Sequence, residues 1–438
     1  VKLDLLLINP WIYDFAAVNL WSQPLGLFSV AEHLQRYDVS VSILDCMDSY
    51  IPKRFGIGQY HKETVEKPEC LKPLKRRYSR YGIGLDNFRH NLSSRRRPDA
   101  VFVTSIMSYW YPGVQKAIEL VRDIYGKVPV LLGGIYATLW HGHASETSGA
   151  DFIYRGPISD DISFALNTFG FRFRKNRRPK DRPVISFSGR YPFAAIQTSS
   201  GCPFSCSYCG SGLLNSRFIQ RNSDEVVRET TALADSGIRD FAFYDDALLF
   251  DSETHIKPIL REIAARKLNI RLHSPNGLHA RYIDDELAYL MKKSGFTTIR
   301  LSLETVDTER QRHTGNKVDT GHLSDAVALM KKKGFRKEDI GVYLMYGLPG
   351  QGLDEVKAGV EFLKGLGVKI NLTEFSPIPG TPCCDELVRN NVITEDIDPL
   401  LTNNTVFSTL FSGYDPDEVK RMRLDVKKYN ALGPSGKL

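Results

Sequence analysis

The stretch Gly201-Cys202-Pro203-Phe204-Ser205-Cys206-Ser207-Tyr208-Cys209-Gly210 decides how this chain is read. Its cysteines follow a C-x3-C-x2-C spacing, directly after the run AAIQTSSG (194–201), which reads as a strand. Three thiolates on one turning loop can face a common point, and soft sulfur ligands select iron–sulfur clusters or zinc. Structural zinc wants four ligands. After Cys209 neither Cys nor His occurs until His255, and Cys383 and Cys384 could return only through the fold. Three ligands on a four-iron cluster leave one iron open, which is a reactive arrangement. A zinc site, or three unligated thiols, is the plain alternative.

Outward from this loop, strand and helix patterns repeat. Strand candidates follow at DFAFYDD (240–246), RLHSPNG (271–277), TIRLSLE (298–304), IGVYLMYGLPG (340–350) and KINLTEFSPIPG (369–380). Helical stretches lie between them, such as SDEVVRETTALADSG (223–237), with Ser223 as the expected N-cap and Gly237 as the stop. Six successive β/α units predict a barrel or partial barrel, with chemistry at the carboxyl ends of its strands.

The N-terminal part alternates too: strands at 3–10, 39–45, 99–107, 128–134 and 151–156, helices at 24–37 and 113–125. This predicts a parallel sheet covered on both faces, with a ligand edge at the carboxyl ends of its strands. The residues at that edge are Asn9, Pro10, Asp45, Thr104, Ser105, Gly133, Gly134 and Tyr136. A glycine pair there allows close backbone approach to a ligand, or marks only a tight turn. Residues 46–97, rich in Lys, Arg and Tyr, break the rhythm as an insert. The expected domains are 1–157 with that insert, a linker at 158–192, a barrel at 193–385 and an extension at 386–438.

The chain has 438 residues, 42% hydrophobic and 25% charged, as expected of a globular protein with two or three domains. Apolar runs of about eighteen residues do not occur, which argues against a membrane-spanning helix. Seven cysteines, three of them crowded together, argue against a secreted disulfide framework and make a reducing cytoplasm the expected location. The net charge of +7 is concentrated in Lys53–Arg97 and Arg172–Arg182. No nucleic-acid motif accompanies it, so solvated loops are the simpler account.

The cysteine motif, with Tyr208 before its last Cys on the first loop of a β/α barrel, resembles the radical S-adenosylmethionine (SAM) superfamily. That resemblance implies a [4Fe–4S] cluster on Cys202, Cys206 and Cys209 that reductively cleaves SAM to a 5′-deoxyadenosyl radical. It also implies SAM contacts from Tyr208, Gly210, Asp245, Asp246, Ser302, Glu304, Gly347 and Pro377, carried by DDALL (245–249), LSLET (301–305), YGLPGQ (346–351) and SPIPGTP (376–382). Asp245 and Asp246 could equally be helix caps. The N-terminal alternation, with PLGL, TSIMS and LLGGIYAT, is similar to the cobalamin-binding domain ahead of many such barrels. Asn9, Pro24, Leu25, Thr104, Ser105, Tyr109, Gly133, Gly134 and Tyr136 would then contact cobalamin. The D-x-H-x-x-G cobalt-ligating pattern is absent, since LDCMDSY (44–50) has no His. Aromatic residues in SYWYP (108–112) could cover the corrin or simply pack a helix.

The implied protein is a Rossmann-like cobalamin-binding-type α/β domain, a partial (β/α)6 radical SAM barrel and a short C-terminal extension. Its expected activity is methyl transfer to an unactivated carbon, with ring closure or rearrangement as the alternative. The expected partners are a small-molecule or peptide substrate and an electron donor such as flavodoxin or ferredoxin. Methylthiolating radical SAM enzymes are a further alternative. They carry extra cluster cysteines and a terminal RNA-binding barrel, whereas here the N-terminal half offers only Cys46 and Cys70 and the tail shows no such signature.

Overall fold

The structure is a computed structural model and describes residues 2–159, 161–171, 191–315, 317 and 319–432. The chain forms two compact units, Val1–Pro192 with Asp398–Leu401, and Phe193–Ile397 with Thr402–Leu438.

In the first unit, β1 (Leu3–Asn9), β2 (Val39–Asp45), β3 (Ala100–Val103), β4 (Val130–Leu132) and β5 (Phe152–Ile153) form a parallel sheet in the order β5-β4-β3-β1-β2. These short Leu- and Val-rich runs need both faces covered, as parallel strands do. Leu5 and Leu7 of β1 bury against Leu27, Ala31 and Leu34 of the helix Leu25–Leu34 and against Ile162, Ala165 and Leu166. The last three belong to the helix Ile162–Thr168, so the start of the expected linker is core of this unit. The basic stretch 172–182 lies outside the described residues.

The insert is not a solvated loop. Ile12–Asp14 pairs antiparallel with Ser79–Tyr81, which also pairs with Lys62–Thr64. Val18–Asn19 pairs with Gly58–Tyr60, which also pairs with Tyr50–Pro52. Its charges are put to structural use: Arg80 is 5% exposed, pairs with Glu63 and lies over the Trp11 ring.

The second unit is a six-stranded all-parallel sheet in strictly sequential order. Its strands are β6 (Phe193–Ile196), β7 (Asp240–Phe243), β8 (Arg271–His273), β9 (Phe296–Glu304), β10 (Ile340–Tyr346) and β11 (Lys369–Glu374). Helices fill each crossover from β6 onward. The helix Ser223–Asp235 is capped by Asn222, whose side chain accepts from the backbone N–H of Asp224 and Glu225, so the cap lies one residue before the expected Ser223. The edge strand β11 is covered by the C-terminal helix Pro416–Ala431: Asn430 accepts from Ile370 N (3.0 Å) and donates to Ile370 O (2.8 Å). This satisfies backbone groups that would otherwise invite another strand.

Candidate active site

The cysteine loop is an excursion inside a hairpin. Beyond β6, Ser199–Ser200 pairs antiparallel with Ile219–Gln220, and the three cysteines lie between. Gly201 pinches the neck: it has φ +75°, and a Cβ there would stand 2.3 Å from Arg217 O. Within the loop, Cys209 N donates to Cys206 O (3.0 Å) and closes a turn. All three thiols are free, Cys209 exposed and the others half-buried.

Several groups fix the loop from outside. Asp245, 2% exposed, accepts from Thr198 N (2.9 Å), Thr198 Oγ1 (2.9 Å) and Ser199 Oγ (2.6 Å). It therefore holds the hairpin neck and caps no helix. Asp245→Ala is expected to lower stability by about 2–4 kcal/mol in denaturant melts, because three donors lose a buried charged acceptor. Asp246 is solvent-exposed, with its carboxyl at the Ser211 hydroxyl. Phe204 stacks on His279 at 4.5 Å. On the other side Cys383 N donates to Ser207 O (2.9 Å), and Gly380 packs toward Leu213, so the loop after β11 rests on the cysteine loop. Cys383 and Cys384 are buried free thiols.

The loop's charge environment centres on a residue the sequence reading did not single out. Lys317 Nζ donates to Ser302 Oγ (3.2 Å) and stands 3.7 Å from Glu304 Oε1. Burial raises the Cys202 thiol above its ordinary range and pushes Cys206 up to about 11; the Lys317 charge works against both shifts. Iron loading must therefore release protons, and Lys317 favours the thiolate form. Burial likewise holds the Tyr208 hydroxyl far above its usual range, and it is hydrogen-bonded to Glu304. Glu304 sits at the end of β9 with φ +67°, a strained conformation for a non-glycine residue. Gly315, two residues before Lys317, has φ +111°, and its hypothetical Cβ would stand 3.0 Å from Cys206 Cα.

Tyr208, Ser302 and Glu304 thus meet around Lys317, next to the cysteines. Gly210 is buried and opens the short helix Ser211–Leu214. Gly347 has φ +87° and contacts lie elsewhere: its N–H reaches Tyr414 Oη at 3.3 Å, and Phe375 and Ser408 adjoin it. Pro377 is buried in the loop after β11.

In the first unit, Asn9, Pro24 and Ser105 line a narrow cleft with Trp11, Met47 and Trp110 at the carboxyl ends of β1 and β3. Asn9 Nδ2 donates to Asp45 Oδ1 (2.7 Å), and the buried Asp45 carboxylate also accepts from Met47 N and the Tyr191 hydroxyl. The glycine pair makes a turn: a Cβ on Gly134 would stand 2.3 Å from Ser105 O, and Ser105 Oγ donates to Gly133 O (2.8 Å). Leu25 opens the first helix and Thr104 follows β3, both half-buried. Tyr136 is wholly buried, with its hydroxyl 2.7 Å from His143 Nδ1. Tyr109 is also buried, edge-on to Trp110.

Among the described residues, no three His, Cys, Asp or Glu side chains converge on one ion position. A four-iron cluster asks something else of its ligands, because each thiolate takes a different iron. Three cysteines spread over one pinned loop, beside a cation that favours thiolates, fit that demand.

Residues 196–363 match the Radical SAM superfamily model. An uncharacterized methyltransferase of Pyrococcus horikoshii is 27% identical over 331 residues, 68% of this chain and 71% of that protein. The ribosomal protein uS12 methylthiotransferase RimO of Phocaeicola vulgatus is 25% identical over 185 residues, so this chain spans only 41% of its length. Among solved structures, the radical SAM methyltransferase TsrM from Kitasatospora setae, with cobalamin and a [4Fe-4S] cluster bound, superposes with TM-score 0.65 at 19% identity, covering 89% of this chain and 78% of that one. The cobalamin-dependent radical SAM enzyme OxsB superposes with TM-score 0.62 at 11% identity, covering 98% and 72%. These likenesses establish the two-part fold.

Proposed function

We propose, for a chain that carries a radical SAM domain over residues 196–363, that it is a cobalamin-dependent enzyme transferring a methyl group from SAM to an unactivated carbon. The observation that carries this reading is the pinned three-cysteine loop at the end of β6, with Lys317, Ser302, Glu304 and Tyr208 assembled beside it. Cys202, Cys206 and Cys209 would hold the cluster. When bound, the cluster supplies one electron to SAM, and cobalamin supplies a methyl carrier.

The chain's own residues do the positioning. Lys317 offers the counter-charge for the SAM carboxylate, while Glu304 and Ser302 offer acceptors for its hydroxyl and ammonium hydrogens. Lys317→Met is expected to weaken SAM binding by about tenfold, or about 1.4 kcal/mol, measured by anaerobic equilibrium dialysis. The cleft of Asn9, Pro24 and Ser105 in the first unit is the place assigned to the corrin. The substrate is a small organic molecule or peptide, and reduction comes from a flavodoxin- or ferredoxin-type donor. No described helix is long and apolar enough to cross a membrane.

The test is anaerobic reconstitution with iron, sulfide and hydroxocobalamin, followed by desalting and corrinoid extraction. About one corrinoid per chain supports methyl transfer. Corrinoid that washes out entirely removes it and leaves a SAM-cleaving enzyme whose first unit recognises substrate.

A further inference from the structure

The inner face of β9 carries one charged group with no counter-ion. Ile299, Leu301 and Leu303 are at most 1% exposed and pack toward the helices Asp285–Lys293 and Thr320–Lys332. Arg300, Ser302 and Glu304 alternate with them and so lie on the opposite face, toward the barrel interior. Arg300 is half-buried. Its Nη1 donates to Ile299 O (3.0 Å), and the Tyr343 hydroxyl is hydrogen-bonded to its guanidinium; among the described residues it forms no ion pair with a carboxylate. A guanidinium cannot shed its proton, so its charge stays uncompensated.

The surroundings are arranged around this cation. Tyr343 of β10 lies across the inner face and donates to Pro275 O (2.6 Å), over Gly277, where a Cβ would meet Ser302 Oγ and the Tyr343 ring. Next to Arg300 on β10 is Gly341; a Cβ there would stand 2.8 Å from Arg300 Nη1 and 2.5 Å from Asn371 Oδ1. The glycine lets both side chains lie flat on the sheet. Asn371 Oδ1 is buried and has no hydrogen-bond partner. A buried orphan acceptor beside an uncompensated cation is costly unless something completes both.

We propose that Arg300 and Asn371 form the subsite for an oxyanion of the organic substrate, a carboxylate or phosphoryl group, with a donor of the same molecule on Asn371 Oδ1. Ser302 is two residues further along β9, about 6–7 Å away. The subsite therefore lies just below Lys317 and the cysteine loop, within reach of a substrate carbon presented there. Its place in the reaction rests on the SAM-cleaving reading above, whereas the anion binding itself does not.

The test is thermal unfolding of the anaerobically reconstituted protein in acetate or inorganic phosphate, against chloride at equal ionic strength. One of the two oxyanions should raise Tm saturably, and which one it is separates a carboxylate from a phosphoryl substrate. In Arg300→Gln the midpoint of that response should move at least about tenfold. Asn371→Asp, which sets a carboxylate beside the guanidinium, should raise Tm without added anion and abolish the response, so the test survives if Arg300→Gln fails to fold. A wild-type Tm indifferent to both oxyanions, or an unaltered response in either variant, would overturn the subsite. Cluster absorbance near 400 nm, followed in parallel, reports separately on the cysteine loop.

Discussion

Replacing Cys206 with alanine should abolish reductive cleavage of SAM and leave the barrel folded. The side chain lies in the middle of the motif and is half-buried, with Gly315 packed against its backbone. It contributes no core packing that the six-stranded sheet requires. Loss of a residue that only supports a ligand typically costs about 10–100-fold in metal affinity or activity, so loss of the ligand itself should exceed that range. The measurements are iron content and 5′-deoxyadenosine release under dithionite, with far-UV circular dichroism to confirm folding. A Cys206→Ala protein that retained full iron and full cleavage would remove the motif from the chemistry.

Gly315→Val should cost about 100-fold in the same assay by a purely steric route. The position has φ +111°, where a β-branched residue is strained, and the new Cβ would press on Cys206 Cα at 3.0 Å and on its N and Sγ at 3.4 Å. The Cys206 backbone atoms cannot yield without moving the loop that Gly201 and Asp245 pin at its neck. Displacing a reacting group by about 1 Å can cost that much. Gly365→Ala is the control, since nothing lies within 4 Å of its added Cβ. Unchanged cleavage in Gly315→Val would mean that the loop is softer than its contacts indicate.

What could be read in the sequence divides along physical lines. The strands of both sheets were legible because fully buried parallel strands are short continuous apolar runs, such as LDLLLIN and IGVYLMY. The insert was not, because its two- and three-residue strands pair with Ile12–Asp14 and Val18–Asn19, outside the insert itself. Asp245 reads as a helix cap locally; only the fold brings Thr198 and Ser199 onto its carboxylate. At Gly134 the fold adds a neighbour that the sequence does not show: a Cβ there would meet Ser105 O and N.

The cysteines announced themselves by spacing, but the group that organises them did not. Lys317 follows the helix Thr308–His313, and its local sign is the Thr314-Gly315 turn ahead of it. Arg300 carries a clearer sign. In TIRLSLE it shares the alternating face of Ser302 and Glu304, so a charge at the centre of an inner strand already pointed at the barrel interior.

The most direct measurement is electron paramagnetic resonance of the anaerobically reconstituted, dithionite-reduced chain, before and after SAM is added. About four irons per chain, a reduced-cluster signal that shifts on SAM binding, and release of methionine with 5′-deoxyadenosine are predicted. Zinc in place of iron, or a reduced cluster whose spectrum ignores SAM and leaves it intact, would contradict the assignment of Cys202, Cys206 and Cys209.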